Sequence, residues 1–219
     1  MSLGELLETY GANYLTAYLT TLRLTAISFV VAMVIAVIIT VMRVSPIKPL
    51  RVVGDLYVQI FRNIPGISLL IIVAYALPYL GVVLPWETCV LVAVTILVSA
   101  FGSENFMSGI NTIGVGQIEA ARSVGLTFLQ IMRHMVIPQA LRSAVLPMTN
   151  LLIATLLTTA LGSQVPLNPQ ELTGLVSYIN TRSTGGILTF VISAVCYAGT
   201  GFIIGHFGNI LDKKVRILR

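Results

Sequence analysis

Long apolar stretches, interrupted at intervals by charge, proline or glycine, set the pattern of this chain. Residues 24–42 contain no charged side chain and end at Arg43. Residues 64–86 are also uncharged, but Pro65, Pro78 and Pro85 shorten the usable helix. An uncharged run over 88–103 stops at Glu104. Two longer runs cover 143–170, broken by Gly162, Pro166 and Pro169, and 183–211. A helix needs about 20 mainly apolar residues to cross a bilayer's hydrocarbon. The pattern therefore predicts five spanning helices, near 20–42, 65–80, 86–107, 139–161 and 187–211, in an all-α polytopic membrane protein with one domain over 1–219. Ahead of the first span, Leu3, Leu6, Leu7, Tyr10, Tyr14 and Tyr18 recur at helical spacing. Two readings fit them: an amphipathic helix lying in the outer interface, or an extension of the first span with its tyrosines in the aromatic belt.

Composition narrows the class. Of the 219 residues, 56% are hydrophobic and 10% charged, against about 25% charged in a soluble domain. That excludes a soluble enzyme or DNA-binding domain. The net charge of +5 is informative only through its placement, and no nucleic-acid partner follows from it. With the N-terminus outside, eleven of the thirteen basic residues fall on the inner side. They are Arg43, Lys48, Arg51 and Arg62 in the first inner loop, Arg122, Arg133 and Arg142 in the second, and Lys213, Lys214, Arg216 and Arg219 in the tail. Only Arg23 and Arg182 fall outside. The positive-inside rule selects this orientation, with the C-terminus cytoplasmic and the chain in the cell membrane. Residues 1–13 carry Glu5 and Glu8 but no basic residue, so no cleaved signal peptide is expected. Cys89 and Cys196 both lie in apolar runs, which argues against a disulfide framework.

The second inner loop carries most of the local information. Over 117–124 the chain has good helix formers with Glu119 early, and Gly125 follows as a stop. Thr127 and Gln130 form a T-x-x-Q capping box for a second helix. That helix is expected to end near Met135, because Pro138 disfavours α geometry at Ile137 and suits the first turn of the next span. On spacing alone this is a helix, a glycine turn and a second short helix at the inner surface, which an ordinary connector would also satisfy.

The residue identities say more. Glu119-Ala120-Ala121, Gly125 four residues on and Ile137-Pro138 beyond it resemble the EAA motif of ABC-importer permease subunits. The likeness extends to 108–112, Gly116-Gln117, 138–142 and Leu146-Pro147. Arg62-Asn63-Ile64-Pro65 is similar to an R-x-x-P element of polar amino-acid permeases, and 42–46 resembles actinobacterial glutamate permeases. The resemblance covers roughly Thr20 to the C-terminus. It implies a type I importer permease fold in which the 117–137 loop docks a cytosolic ATPase, with Glu119, Ala120, Ala121, Gly125 and Pro138 as coupling residues. It also implies two ATPase subunits carrying ATP and Mg, a second permease subunit, identical or homologous, and an external solute-binding protein. No cofactor is implied on this chain. The chain departs from the family at Met107, where a base is common after the acid of Ser103-Glu104, and at Leu157, where a lysine often precedes Thr158-Thr159.

Polar residues inside the spans are the remaining candidates. Thr155, Thr158, Thr159 and Gly162 form one stripe, and Thr95, Ser99, Gly102 and Ser103 another. They read as a hydroxyl-lined path or as close helix packing with hydroxyls bonded back to their own helix. Asn150 and Gln164 are larger amides that need a partner or water. The candidate solute path is thus Asn150, Thr155, Thr158, Thr159 and Gln164. Glu104 is expected to pair with a base of the second inner loop, and His206 to serve packing or hydrogen bonding. The chain has no G-x-x-x-x-G-K-[ST], H-E-x-x-H, paired cysteine ligands or G-x-S-x-G. No catalytic residue or metal ligand is expected, and energy must come from elsewhere. A self-sufficient secondary transporter or channel is the alternative reading, a membrane-bound enzyme the third. No repeat or deep charge pair of the kind such transporters carry is evident in the sequence.

Overall fold

The computed structural model describes residues 2–183 and 186–215; Arg216 and Arg219, two of the inner cations, lie outside them. The described residues form a helical bundle. Helix α1 (Leu3–Val44) is followed by α2 (Lys48–Asn63) and a broken helix over Gly66–Leu80, whose α-helical part is α3 (Gly66–Ile71). Then come α4 (Trp86–Asn111), α5 (Val115–Ser123), α6 (Phe128–Ile131), α7 (Ile137–Ser143) and α8 (Val145–Thr158). The last two helices are α9 (Leu172–Arg182) and α10 (Ile187–Val215). Helix α1, α4, Val145–Gln164 and α10 are each long and apolar enough to span a membrane. The pair formed by α2 and Gly66–Leu80 makes the fifth candidate span, bent by 103°.

The N-terminal segment extends the first span: α1 is one helix of 42 residues, opened by a capping box between Ser2 and Glu5. Its outer half packs Leu6, Tyr14 and Ala17 against Leu172, Leu175 and Ile179 of α9. The Tyr14 hydroxyl donates to the Thr189 carbonyl oxygen at 3.3 Å, and the Tyr18 hydroxyl is 2.8 Å from Thr200 Oγ1. The inner half packs on α4, and Leu24, Ala32, Val90, Val94 and Val98 belong to the main core. Two elements are absent from the sequence reading. Helix α2 leaves Val52, Val53, Leu56 and Ile60 exposed and turns in Gly54 and Val58, the pattern of a helix lying along a membrane surface. Helix α9 fills the break after α8.

The expected helix end near Met135 does not occur. Ile137 is helical, with φ −61° and ψ −48°, and the helix runs on through Pro138. A π turn over Met132–Val136 makes this possible, with the Ile137 N–H reaching back to the Met132 carbonyl. A proline clashes with the carbonyl four residues earlier and donates no hydrogen bond, and a widened turn relieves both problems. The same device recurs ahead of Pro78, where the π turn is Ile72–Ala76 and the Leu77 N–H bonds to the Ile72 carbonyl.

The orientation can be tested at exposed sites. Val83 is 77% exposed in the loop before α4, and Val124 is 77% exposed at the end of α5. In a cysteine-free background, Val83→Cys should react with an impermeant thiol reagent in intact cells. Val124→Cys should react only after lysis.

Candidate coupling surface and solute path

The segment between α4 and α8 is a small folded unit. Ile113, Ala121, Ile131, Val136 and Ala140 form its core, flanked by Ile118, Leu126 and Met132. Helix α5 ends at Gly125, whose φ of +84° is the left-handed conformation that glycine adopts without a Cβ penalty. The Gly125 N–H donates to the Arg122 carbonyl at 2.9 Å and the Leu126 N–H to the Ala121 carbonyl at 3.2 Å, which is a Schellman cap. Thr127 and Gln130 then close their capping box: the Thr127 N–H donates to Gln130 Oε1 at 2.8 Å and the Gln130 N–H to Thr127 Oγ1 at 3.4 Å. Gln139 Nε2 donates to Gln117 Oε1 at 3.3 Å, tying the two arms together.

Within this unit Ala121 is buried, whereas Glu119, Ala120, Gly125 and Pro138 are exposed. The exposed tip is also apolar, with Val124 77% and Leu129 74% exposed. A carboxylate, a small side chain and two bare aliphatic groups on a rigid turn form a surface suited to a protein partner.

At the inner boundary Arg43 joins three helices. Its Nε lies 2.8 Å from Asp55 Oδ1 of α2, and one terminal nitrogen lies 3.2 Å from Glu104 Oε2 and 3.3 Å from Ser103 Oγ of α4. Arg62 reaches the same Glu104 oxygen at 3.3 Å. Glu104 therefore pairs with bases of the first inner loop, not the second. The reason is local: Arg43 lies in the last turn of α1, the helix packed along α4, and so reaches Glu104 directly. Gly54 permits the approach, since a Cβ there would lie 2.8 Å from Arg43 Cγ.

The candidate path residues separate into two groups. Thr155 and Thr159 are wholly buried, and their hydroxyls donate to the Leu151 carbonyl at 2.7 Å and the Leu156 carbonyl at 2.6 Å. Thr158 and Gln164 instead line an open groove of about 860 Å³ with Gly66, Ile67, Leu97 and Leu157. The Thr158 hydroxyl donates to the Ala154 carbonyl at 2.7 Å, so its oxygen faces outward as an acceptor. Gln164 Nε2 donates to Ser163 Oγ at 3.0 Å, leaving one amide N–H and Oε1 for other partners. Asn150 is exposed on α8, apart from this groove. The break expected over 162–169 is present as a 3-10 turn, Thr159–Gln164, followed by extended Val165. His206 is exposed and lines a second groove between α8 and α10 with Asn209 and Tyr197.

One buried carboxylate escaped the sequence reading. Glu171 is completely buried at the start of α9. It accepts from the Gly174 and Thr173 N–H groups, both at 2.6 Å, and from the Tyr197 hydroxyl at 3.0 Å. Glutamate is not among the preferred helix caps, so the sequence offered no signal beyond an acid closing a long uncharged run.

Residues 32–217 match the family described as binding-protein-dependent transport system inner membrane component. The chain is 34% identical to the glutamate transport system permease protein of Corynebacterium efficiens over 206 residues, covering 89% of this chain and 88% of that one. It is 32% identical to a probable glutamine ABC transporter permease protein of Bacillus subtilis over 200 residues, covering 90% and 91%. Among solved structures, an amino acid ABC transporter crystallised with histidines superposes with a TM-score of 0.91 at 25% identity, covering 98% of this chain and 99% of that one.

The cap at Gly125 makes a local prediction. A Cβ there meets nothing within 4 Å, so Gly125→Val is opposed by backbone conformation alone, by about 1–2 kcal/mol. Hydrogen exchange of amides 118–126 should accelerate roughly tenfold, the factor that about 1.4 kcal/mol implies. The exchange of α4 and α10 should stay as in the parent.

Proposed function

The chain belongs to the binding-protein-dependent transport system inner membrane component family and is an amino-acid ABC permease subunit, and we propose that it imports a polar amino acid, glutamate foremost. In this reading an external solute-binding protein delivers the cargo, and a second permease subunit, identical or homologous, completes the path. Two cytosolic ATPase subunits, holding ATP and Mg, dock on the 117–137 unit. The N-terminus lies outside and the C-terminus in the cytoplasm.

The observation that carries the reading is the rigid, exposed tip of that unit. Its Schellman cap and capping box fix the turn, while Glu119, Ala120, Val124 and Leu129 stand clear of the rest of the chain. A surface that transmits force between subunits has to be stiff and apolar enough to stay in contact. Pro138 and the π turn before it continue the unit into α7 without a flexible joint. Co-purification of an ATPase subunit with the chain separates this reading from a self-sufficient transporter, which would transport with no such partner.

Glutamate is supported by the 42–46 and 108–112 segments and by likeness to two Corynebacterium glutamate permeases. Relatives named for glutamine and cystine set the alternatives. The groove at Thr158 and Gln164 offers an acceptor oxygen and an amide N–H, a pair that suits the ammonium and carboxylate of an amino acid. Neither group is charged, and an unmet carboxylate in a dry tunnel is unfavourable by at least several kcal/mol. Water and the second subunit therefore have to supply the rest of the solvation.

Two outcomes test these assignments. Glu119→Lys reverses the charge of the exposed tip; because α5 begins at Val115, Glu119 lies beyond its first turn and the change acts on the surface rather than on the helix dipole. Uptake in membrane vesicles should fall at least tenfold, while membrane insertion matches the parent. For the path, Thr158→Val and Gln164→Leu should each lower the glutamate uptake rate about fivefold, in line with roughly 1 kcal/mol for one polar contact. Thr155→Val should stay within about twofold, because that hydroxyl is buried and donates to the Leu151 carbonyl of its own helix.

A further inference from the structure

A third groove, lined by apolar residues of α1, α4 and the 132–141 segment, shares no residue with the groove at Thr158 and Gln164. Val37 and Val41 of α1 form one wall, Phe106 and Ile110 of α4 the floor, and Ile137 and Leu141 the other wall. It is a shallow, half-open groove, with about 450 Å³ of space counted together with its open side. Its only hydroxyl, Thr40, is buried and occupied by the Ala36 carbonyl and Ser103. Val37 and Val41 continue the exposed apolar stripe of Val30, Val34 and Ile38 along α1, so the groove opens towards hydrocarbon rather than towards water. No polar solute is suited to such a lining.

The charge around it is one-sided. Arg142 directly follows the wall residue Leu141, and Arg133 directly follows Met132, which also lines the groove. Lys48 lies four residues beyond the lining residue Val44. All three side chains are exposed, and none takes part in an ion pair among the described residues. The nearby acids are already committed, Asp55 to Arg43 and Glu104 to Arg43 and Arg62. An apolar slot facing the lipid, with exposed cations one to four residues along the chain from its lining, is complementary to an amphiphile with an apolar tail and an anionic head.

We propose that this groove binds an anionic phospholipid of the inner leaflet, one acyl chain lying between α1 and the α6–α7 segment and the phosphate meeting Arg133, Arg142 and Lys48. A tail leaving one hydrocarbon surrounding for another gains little. Selectivity therefore rests on the head group, where each cation near the surface contributes about fivefold in affinity. The groove fixes where the lipid sits, and the cations fix which lipid. One wall is the helix that leads from the coupling turn to α8, so the bound chain acts as a spacer between that helix and α1. The inference rests on α1 and α4 spanning the membrane with the C-terminus in the cytoplasm, as proposed above, and it stands or falls separately from the choice of cargo.

The test uses the full-length chain in phosphatidylcholine nanodiscs, with a phosphatidylglycerol probe carrying a photoactivatable diazirine in its acyl chain. Labelled peptides should map to 37–44 and 137–141. Unlabelled phosphatidylglycerol should compete at concentrations at least fivefold lower than phosphatidylcholine. Arg133→Gln, Arg142→Gln and Lys48→Gln together should erase that preference and leave the label in place. Val41→Trp, at a site 54% exposed, should fill the slot and remove the label while uptake-independent folding markers persist. Equal competition by the two lipids in the parent, or labelling spread evenly to Val30 and Val34, would overturn the proposal. So would disulfide crosslinking between two chains through Val41→Cys in place of lipid labelling, because a second copy would then occupy the groove.

Discussion

The Arg43 guanidinium stands where α1, α2 and α4 meet, with only 9% of its side chain exposed. A charge in that position is tolerable only with partners held in place. Asp55, Ser103 and Glu104 supply them, and Arg62 shares Glu104. Both carboxylates remain in partial contact with water, which moderates the strength of each pair. The geometric effect is larger than any single pair. Because Arg43 reaches both acids, α2 is tied to the ends of α1 and α4, and the helix that follows α2 is bent from it by 103°. Gly54 belongs to the same junction, since a Cβ there would lie 2.8 Å from Arg43 Cγ.

Much of the architecture was legible in the hydrophobic pattern, because lipid imposes a length on every crossing helix. The spans near 86–107 and 187–211 correspond to α4 and α10 with a few residues added at the ends. The glycine stop at Gly125 and the Thr127–Gln130 box were legible for a different reason: a left-handed residue and a side-chain cap are local requirements with few chemical solutions. The same locality explains the failure at Pro138. The rule that residues before proline leave the α region holds for a regular turn, and a π turn at Met132–Val136 changes the premise. Helix α2, helix α9 and the Glu171 cap depend on tertiary partners, Arg43 and Tyr197 among them, which no window of sequence contains.

The small polar residues show why composition alone could not place a path. Thr155, Thr158 and Thr159 are chemically identical and adjacent, yet all three hydroxyls donate to carbonyls of their own helix or its final turn. What separates Thr158 is a rotation about the helix axis of one residue, which aims its oxygen into an open groove while its neighbours face α9 and the core. Exposure, not hydrogen-bonding type, distinguishes a groove-lining threonine from a packing contact here. The coupling unit behaves in the opposite way, since its exposed residues are set by backbone caps that were readable in sequence.

Helix α1 has a mechanical consequence. Its 42 residues contain no proline, and at 1.5 Å per residue it is about 63 Å long, roughly twice the hydrocarbon thickness. The outer half is fastened to α9 and α10 through Tyr14, Tyr18 and Thr21, the inner half to the Arg43 junction. An unbroken rod clamped at both ends behaves as a lever with its fulcrum against α4. A tilt imposed at one face of the membrane has to reappear at the other with the opposite sense, scaled by the ratio of the two arms. The helix that flanks the path would thus report on one side of the membrane what has happened on the other, without any moving part of its own.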